Sequence, residues 1–180
     1  ITLKGYAKTK GTIRKRTSGT LNLDKVILEN MNCDTTGNKS YVLSNSVDDG
    51  GNIGGWNFNA VALKKMKYVG TGNHLWRDPL NWQLWNGTTW IANTTGCVPD
   101  PFTDVVVDIS SFPPTGARWI AIDSLSSCRD LIWDDATTLG ATMRIFADLH
   151  IFGDFELGAN MNPFQGSQVI YLHGQNNVLK

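Results

Sequence analysis

The chain has 180 residues, in which 16 Lys or Arg balance 16 Asp or Glu, so its formal net charge is zero. A balanced charge creates no field that would attract the chain to nucleic acid or to an anionic membrane surface, and we expect neither as a partner. The sequence also lacks a run of about 18 consecutive apolar residues, so we expect no membrane insertion.

Short runs of strand-forming residues follow one another along the whole chain, separated by turns rich in Gly and Asn. In chain order the runs lie at residues 21–28, 41–43, 56–58, 105–109, 119–122, 130–133, 143–146, 149–152 and 169–172. No window of about 12 residues keeps the apolar spacing of a helix. Short strands at such close intervals predict an all-β fold.

The late runs favour one all-β architecture over the others. Residues 144–157 and 169–174 are brief, strongly β-forming and interrupted or followed by Gly. A stacked coil needs only a few inward apolar residues and a Gly at a corner, so these segments favour a parallel β-helix or solenoid-like repeat unit. A β-sandwich is the alternative.

The chain is predicted to divide at residues 59–67, which we interpret as a linker. Residues 56–58 close one group of strands and residues 68–70 open the next. We therefore predict that residues 1–58 form the C-terminal part of one β repeat. Residues 68–180 are expected to form the start of the next repeat, with a Trp-rich cap followed by solenoid-like strands that continue beyond the fragment.

Several short motifs carry a resemblance to a known repeat. The second half contains Asp-Pro-Leu-Asn-Trp at residues 78–82, Val-Pro at 98–99 and Cys-Arg-Asp-Leu-Ile-Trp at 128–133, and the first half contains Ser-Val-Asp-Asp-Gly-Gly-Asn at 46–52. With these motifs the chain resembles the tandem repeat region of large type IX-secreted, gliding-motility-associated surface adhesins of Bacteroidetes. Its first half is similar to the end of such a repeat and its second half to the beginning.

The resemblance implies an extracellular segment, at the cell surface or secreted, of an adhesin or filament that displays binding surface and is not an enzyme. Its partners would be neighbouring repeats of the same polypeptide and surface glycans, and no cofactor is implied. The alternatives are a glycan-active β-helical enzyme and a purely structural filament subunit. Converging carboxylates would indicate the enzyme, and extensive subunit contacts without a ligand pocket would indicate the filament.

Four tryptophans, Trp76, Trp82, Trp85 and Trp90, lie close together in the second half. An indole ring offers a flat apolar surface on which a sugar ring can stack, and nearby amides can supply hydrogen bonds. Trp82, Trp85, Trp90 and Asn86 are therefore the candidate glycan contacts. Alternatively, Trp76 and Trp82 cover the open end of a solenoid, where apolar interior and unpaired strand edges would otherwise face water.

A Gly-rich turn that contains Asp48, Asp49 and Asn52 is a weak candidate for calcium. Calcium takes about 6 to 8 oxygen ligands, which carboxylates and amides supply. The same residues are typical of Asx turns, in which the side chain bonds the nearby backbone, and the turn is the favoured interpretation.

The cysteines Cys33, Cys97 and Cys128 lack the spacing of metal ligands, so no zinc site is expected. A Cys97–Cys128 disulfide would suit an exported protein, and buried thiols are the alternative.

No catalytic motif occurs: the sequence has no Gly-x-Ser-x-Gly elbow, no His-Glu-x-x-His pair and no phosphate loop. Acidic residues that could pair for glycoside cleavage are numerous, but nothing in the sequence brings two of them together. These acids are Asp123, Asp130, Asp134, Asp135, Asp148 and Asp154.

Overall fold

The computed structural model describes residues 1–5, 10–44, 46–49, 51–59, 64–70, 72–134, 140–159, 161–162 and 164–173. These residues form an all-β structure in which the parallel strands of each unit stack into β-solenoid coils, about seven turns in all. The predicted fold class is confirmed, and the sandwich alternative fails because a sandwich is built from antiparallel sheets. No helix in this part of the chain has the length and apolar character needed to cross a bilayer.

The described strands fall into two units, whose bodies are Ile1–Leu63 and Lys64–Leu172. The strands of the first unit are β1 (Thr2–Lys4), β2 (Gly11–Ile13), β3 (Gly19–Asp24), β4 (Ile27–Glu29), β5 (Met31–Cys33), β6 (Lys39–Ser44), β7 (Val47–Asp48) and β8 (Trp56–Asn59). Strands one coil apart pair in parallel, in the orders β1-β4-β7, β2-β5 and β3-β6-β8. Paired residues are about 15 to 25 positions apart, at the lower end of the range for solenoid coils.

Two corners of the first unit consist of a single residue in the left-handed backbone conformation. Lys25, with φ of 52°, lies between β3 and β4, and Asn30, with φ of 53°, lies between β4 and β5. Few non-glycine residues adopt this conformation, although Asn tolerates it better than most. One residue therefore redirects the chain at each corner, which keeps these coils short.

The core of the first unit is small and largely aliphatic. Its clustered buried side chains are Val26, Leu28, Met31 and Leu43. Tyr41 is also fully buried, and its hydroxyl group donates to the Asp34 backbone oxygen at 3.0 Å and accepts from the Lys15 backbone nitrogen at 3.0 Å. These two bonds satisfy the polar end of the buried ring, as buried hydroxyl groups require.

The second unit contains longer coils. Its strands are β9 (Lys64–Tyr68), β10 (Trp82–Trp85), β11 (Trp90–Ala92), β12 (Thr103–Val107), β13 (Trp119–Ile122), β14 (Ser126–Cys128), β15 (Leu131–Trp133), β16 (Thr142–Ile145), β17 (Leu149–Ile151), β18 (Phe155–Glu156), β19 (Gln165–Gly166) and β20 (Ile170–Leu172). Short 3-10 helices lie at Pro79–Asn81 and Ile109–Ser111. Three parallel sheets run in the orders β9-β12-β15-β18, β13-β16-β19 and β14-β17-β20.

Alternation along each strand separates the inside of the second unit from its outside. In β12, Val105 and Val107 are buried, whereas Asp104 and Val106 lie on the outer face. The interior is rich in aromatic rings. The largest fully buried side chains of this unit are Trp76, Trp82, Trp133, Tyr68, Met66, Ile120, Ile122, Leu131 and Met143.

An antiparallel hairpin extends the first sheet of the second unit. Strands β10 and β11 continue that sheet beyond β9, on the side opposite β12, so its order is β11-β10-β9-β12-β15-β18. The Trp-rich segment thus forms an edge hairpin. Its turn projects from a sheet that is otherwise built only from stacked parallel strands.

The structure corrects the predicted linker at residues 59–67. Asn59 belongs to β8 and residues 64–67 belong to β9, where Met66 is fully buried. The segment Lys-Lys-Met-Lys-Tyr places its apolar residues on one face of a strand, but the three lysines gave it the composition of a solvated connection. Residues 60–63 lie outside the described residues.

Candidate functional site

The hairpin of β10 and β11 is the candidate functional site. Trp85 lies opposite Trp90, and Gln83 lies opposite Ala92. Residues that are two apart on a strand, or directly opposite on its neighbour, share a face, so these four side chains lie on one face of the hairpin. The other face carries Leu84, which packs against the core of the second unit. The aromatic pair therefore lies on the outer face.

A tight turn holds the tip of the hairpin. Asn86 Oδ1 accepts hydrogen bonds from Thr88 N at 3.0 Å and from Thr89 N at 2.9 Å, and Gly87 has φ of 101°. An Asx turn of this kind uses the side-chain oxygen to replace a backbone acceptor. Asn86 Nδ2 forms no hydrogen bond with a described residue, so an amide donor is left on the exposed tip beside Trp85.

Trp82 belongs to the core of the second unit. Its side chain is only 1% exposed, and its Nε1 donates to the Trp76 backbone oxygen at 2.7 Å. The indole also packs edge-on against Trp76, at 4.9 Å between ring centroids, and against Tyr68, at 5.5 Å. The prediction that Trp82 offers an exposed ring to a glycan is therefore corrected, because almost none of its surface is exposed, although the residue contributes to the lining of the cavity beside the hairpin.

Trp85 and Trp90 do form an accessible pair. Their ring centroids are 5.1 Å apart at an angle of 60°, and Trp85 is 41% exposed. Lys67 Nζ lies over the Trp90 ring, 5.2 Å from its centroid. That ammonium group is itself held by Ser110 Oγ at 2.9 Å and by Asp108 Oδ2 at 3.7 Å. Trp90 is thus fixed between a cation and its partner ring, and Trp85 is the ring that a ligand can reach.

A shallow cavity of about 240 Å³ lies beside the hairpin. Its lining residues are Val69, Pro79, Leu80, Trp82, Gln83, Ala92 and Asn93. The Asn93 amide nitrogen donates to the Pro79 backbone oxygen at 3.1 Å and so closes one wall. The Gln83 amide forms no hydrogen bond within the described part of the chain, and the Leu80 side chain is 75% exposed. The cavity therefore combines an apolar rim with one available amide group.

Sequence reasoning missed Gln83 and Leu80 as parts of this surface. Once the strand Trp82–Trp85 is known, the alternation of faces puts Gln83 on the face of Trp85 and Trp82 on the opposite face. That strand was not predicted, because residues 82–85 are not among the runs of strand-forming residues that the sequence indicates. Leu80 had no signal in the sequence, since it follows Pro79 in a 3-10 turn.

A column of aspartates crosses the outer face of the same sheet. The register pairs Val105 with Leu131 and Leu131 with Phe155, which stacks the preceding Asp104, Asp130 and Asp154 on successive coils. Adjacent strands are about 4.8 Å apart. The fold therefore brings together acids that are far apart in the sequence. Of the other candidate acids, Asp135 lies outside the described residues.

One arginine joins two of these carboxylates. Arg129 Nε contacts Asp104 Oδ1, and Arg129 Nη2 lies 2.8 Å from Asp130 Oδ2. Asp130 Oδ1 also accepts a hydrogen bond from Asp154 N at 3.0 Å. This approach requires Gly153, because a Cβ there would overlap Asp130 Oδ1. Burial raises the pKa of Asp130 above its ordinary value, while the Arg129 charge opposes that rise.

Of the candidate calcium residues, Asn52 has a structural role in the coil. Asn52 Oδ1 accepts from Met31 N at 2.7 Å and Asn52 Nδ2 donates to Leu28 O at 2.8 Å, so its amide bonds the backbone of the coil beside it. Asp49 N donates to Leu28 O at 2.8 Å. The side chain of Asp48 lies outside the described residues. Among the residues that the structure describes, no group of three or more His, Cys, Asp or Glu side chains is arranged to hold a metal ion.

The three cysteines are free thiols, which corrects the proposed Cys97–Cys128 disulfide. Cys128 is fully buried on the inner face of β14, and burial raises the pKa of its thiol well above the ordinary value. Cys97 is exposed in the connection after β11. The alternation of β14 turns Cys128 inward, away from any exposed partner.

No protein family model, curated protein or solved structure matches this chain.

Proposed function

We propose that the chain is a non-catalytic, extracellular repeat segment of a cell-surface adhesin or filament, and that its β10–β11 hairpin is a glycan-binding element. The observation that carries the proposal is the accessible Trp85–Trp90 pair on the outer face of that hairpin. The proposal includes membership of the large type IX-secreted surface adhesins that the sequence resembles. It also includes neighbouring repeats of the same polypeptide as binding partners.

The geometry of the hairpin supports this role. Strand β10 pairs with β9 over three residue pairs, and β9 pairs with β12 over four, so the hairpin stands on a sheet that is fixed by parallel stacking. Exposed aromatic side chains on a rigid support lose little conformational entropy when they bind. In a tandem array, repeated weak sites of this kind would add by multivalency.

A second candidate function is cleavage of a glycan, because the aspartate column stacks carboxylates on adjacent strands. Retaining glycosidases hold two carboxyl groups about 5 to 5.5 Å apart, close to the strand spacing of about 4.8 Å. The raised pKa of Asp130 would suit a proton donor. However, Arg129 binds both Asp104 and Asp130. Because this arrangement also explains the column as an ion-pair network between coils, we place catalysis second.

The test is a titration of the chain with a panel of polysaccharides, in which intrinsic tryptophan fluorescence reports binding and reducing ends report cleavage. We expect a saturable fluorescence change without the release of reducing ends. Release that disappears in Asp130→Asn would establish the enzyme instead. A lack of response to every glycan would reject the binding function and leave the filament alternative.

Two hairpin variants locate the binding in that experiment. Trp85→Ala removes the accessible ring, and we expect it to abolish the fluorescence change. Ile91→Ala is the matched control, because Ile91 is an exposed apolar residue of the same hairpin that lies opposite Leu84 and so shares the other face. Equal loss in both variants would show that the hairpin as a whole, and not the Trp85 ring, is responsible.

A further inference from the structure

We infer that the ligand of the hairpin is a neutral sugar chain of at least two rings, with one ring stacked on Trp85 and the next in the cavity beside Gln83. This inference rests on the proposed glycan-binding function and specifies its ligand. It follows from three properties of the surface: the spacing of the two subsites, the size of the cavity and the pairing of the nearby charges.

The two subsites lie in line along one strand. Trp85 and Gln83 are two residues apart in β10, so they share a face and are separated by about 7 Å along the strand. Gln83 lines the cavity, and Ala92 opposite it lines the cavity as well. A ligand that lies along β10 would therefore pass directly from the Trp85 ring into the cavity. One ring cannot occupy both positions.

The size of the cavity limits what the second subsite can hold. Its volume of about 240 Å³ is below the range of about 300 to 1,000 Å³ that is typical of pockets that enclose a drug-sized ligand. A single sugar ring is the appropriate size, with its apolar face against Pro79 and Leu80 and its hydroxyl groups towards the Gln83 amide. The remainder of a longer chain would lie outside the cavity, on the hairpin surface.

Two cations near the hairpin, Lys67 and Lys65, lie next to acidic residues of neighbouring segments. Lys67 is held by Asp108 and Ser110. Lys65 lies opposite Asp104 on the neighbouring strand. An acidic sugar would have to compete with Asp108 for Lys67.

Further along the same face, Arg129 is shared between Asp104 and Asp130, and Asp154 adds another negative charge. Two neutral amide groups of the hairpin, those of Gln83 and of Asn86 Nδ2, form no hydrogen bond with any residue that the structure describes. Amide groups form hydrogen bonds with sugar hydroxyl groups, so the surface favours a neutral chain over a charged one.

The stacked subsite suits a sugar for a physical reason. The face of an indole ring carries the negative part of its quadrupole, which attracts the positively polarised C–H groups on the flat side of a sugar ring. Trp90 packs against Trp85 with ring centroids 5.1 Å apart, and Lys67 Nζ lies 5.2 Å from the centroid of the Trp90 ring. Asn86 Nδ2, one residue further along the chain at the tip, can donate to a ring hydroxyl group.

The experiment measures affinity by calorimetry for cello-, manno- and xylo-oligosaccharides of increasing length, with oligogalacturonates of the same lengths as the acidic counterpart. For at least one neutral series we expect the affinity to rise between the monosaccharide and the disaccharide or trisaccharide. That gain should change little with added salt, because it involves no ion pair. The acidic series should bind more weakly at every length.

Variants assign the two subsites. Trp85→Ala should weaken binding of all lengths by about tenfold. Gln83→Ala should leave the monosaccharide unaffected and lower the affinity of the longer chains about three- to tenfold, the effect of one lost hydrogen bond. Ile91→Ala, on the opposite face, should change neither.

Three results would overturn the inference. Tighter, salt-sensitive binding of the acidic series at Trp85 would show that the ligand class is wrong while the glycan-binding function stands. An affinity that is independent of chain length, or unchanged in Gln83→Ala, would remove the second subsite. If no series binds to the unmodified protein, the proposed function itself fails.

Discussion

The two units build the same type of parallel coil from different side chains. The first unit encloses mainly aliphatic side chains, and its paired residues are about 15 to 25 positions apart. The second unit encloses Trp76, Trp82 and Trp133, and the residues paired between its parallel strands are about 21 to 39 positions apart. Parallel pairing in register thus defines the coil. The unit with the larger inward side chains also has the longer coils, because close packing requires each coil to fit the side chains that it encloses.

The units also differ in how they satisfy buried polar groups. In the first unit the Asn52 amide bonds the backbone of the neighbouring coil, and Tyr41 bonds the backbone with its hydroxyl group. In the second unit large aromatic rings pack among aliphatic side chains, and Trp82 Nε1 bonds a backbone oxygen inside the core. We therefore expect the stability of the second unit to depend most on the packing of its buried side chains. We expect the stability of the first unit to depend most on its hydrogen-bonding side chains.

The largest effect is expected from Trp82→Ala in the second unit. Removal of a fully buried indole leaves a cavity and an unpaired Trp76 backbone oxygen, so the free energy of unfolding should fall by about 3 to 5 kcal/mol. Chemical denaturation followed by circular dichroism measures this. A loss below about 1 kcal/mol would contradict the placement of Trp82 in the core.

A smaller effect is expected from Asn52→Ala in the first unit. The substitution leaves Met31 N and Leu28 O without their side-chain partner, at a cost of about 1 to 3 kcal/mol. Faster amide hydrogen exchange at Met31 would locate the damage. If Asn52 instead served mainly as a calcium ligand, added calcium would stabilise the unmodified chain and not the variant.

The two units should respond to acid in opposite directions. Hydrogen bonds from Thr36, together with Lys39, lower the pKa of Asp34 to about 2. Since the unfolded value is about 3.9, the contribution of Asp34 is complete above that pH and is lost as the pH falls towards 2. Burial raises the pKa of Asp130, so its native state binds the proton more readily. The contribution of Asp130 to the free energy of unfolding therefore increases as the pH falls through its raised pKa.

Hydrogen exchange resolved by residue, followed between neutral pH and pH 2, measures both responses in one sample. Asp34→Asn should flatten the acid response of the first unit, and Asp130→Asn should flatten that of the second. Parallel acid responses of the two units, unchanged by either substitution, would refute the opposing assignments.

The smallest effect on stability is expected from Trp85→Ala. The Trp85 ring is 41% exposed and lies outside the core, so the free energy of unfolding should change by no more than about 0.5 kcal/mol. The same denaturation experiment used for Trp82→Ala provides the comparison. A loss as large as that of Trp82→Ala would mean that Trp85 packs as a structural residue, and the hairpin would lose its candidate ligand surface.

Much of the fold could be predicted because its local signals agree. Residues 21–28 and 105–109 are rich in strand-forming residues that lie between turns, and they correspond to β3, β4 and β12. The short spacing of these runs predicted coils, and the parallel pairing confirms them. Residues 64–67 were missed because three lysines obscured a strand that contains the buried Met66.

The candidate site was predictable only in part. Trp85, Trp90 and Asn86 were selected by residue type, and the hairpin brings them together. The aspartate column could not be foreseen, because Asp104, Asp130 and Asp154 become neighbours only through the pairing of strands on successive coils.

The sequence by itself determined that this protein is all-β and coil-like, because strand propensity, frequent turns and the absence of helical spacing are local properties of the chain. Only the tertiary structure decided which tryptophan is buried and which is exposed. Trp82 and Trp85 are chemically identical and lie three residues apart on one strand, so they necessarily occupy opposite faces. Pairing of β10 with β9 set Trp82 opposite the buried Tyr68, and that register directed Trp82 into the core and Trp85 towards solvent.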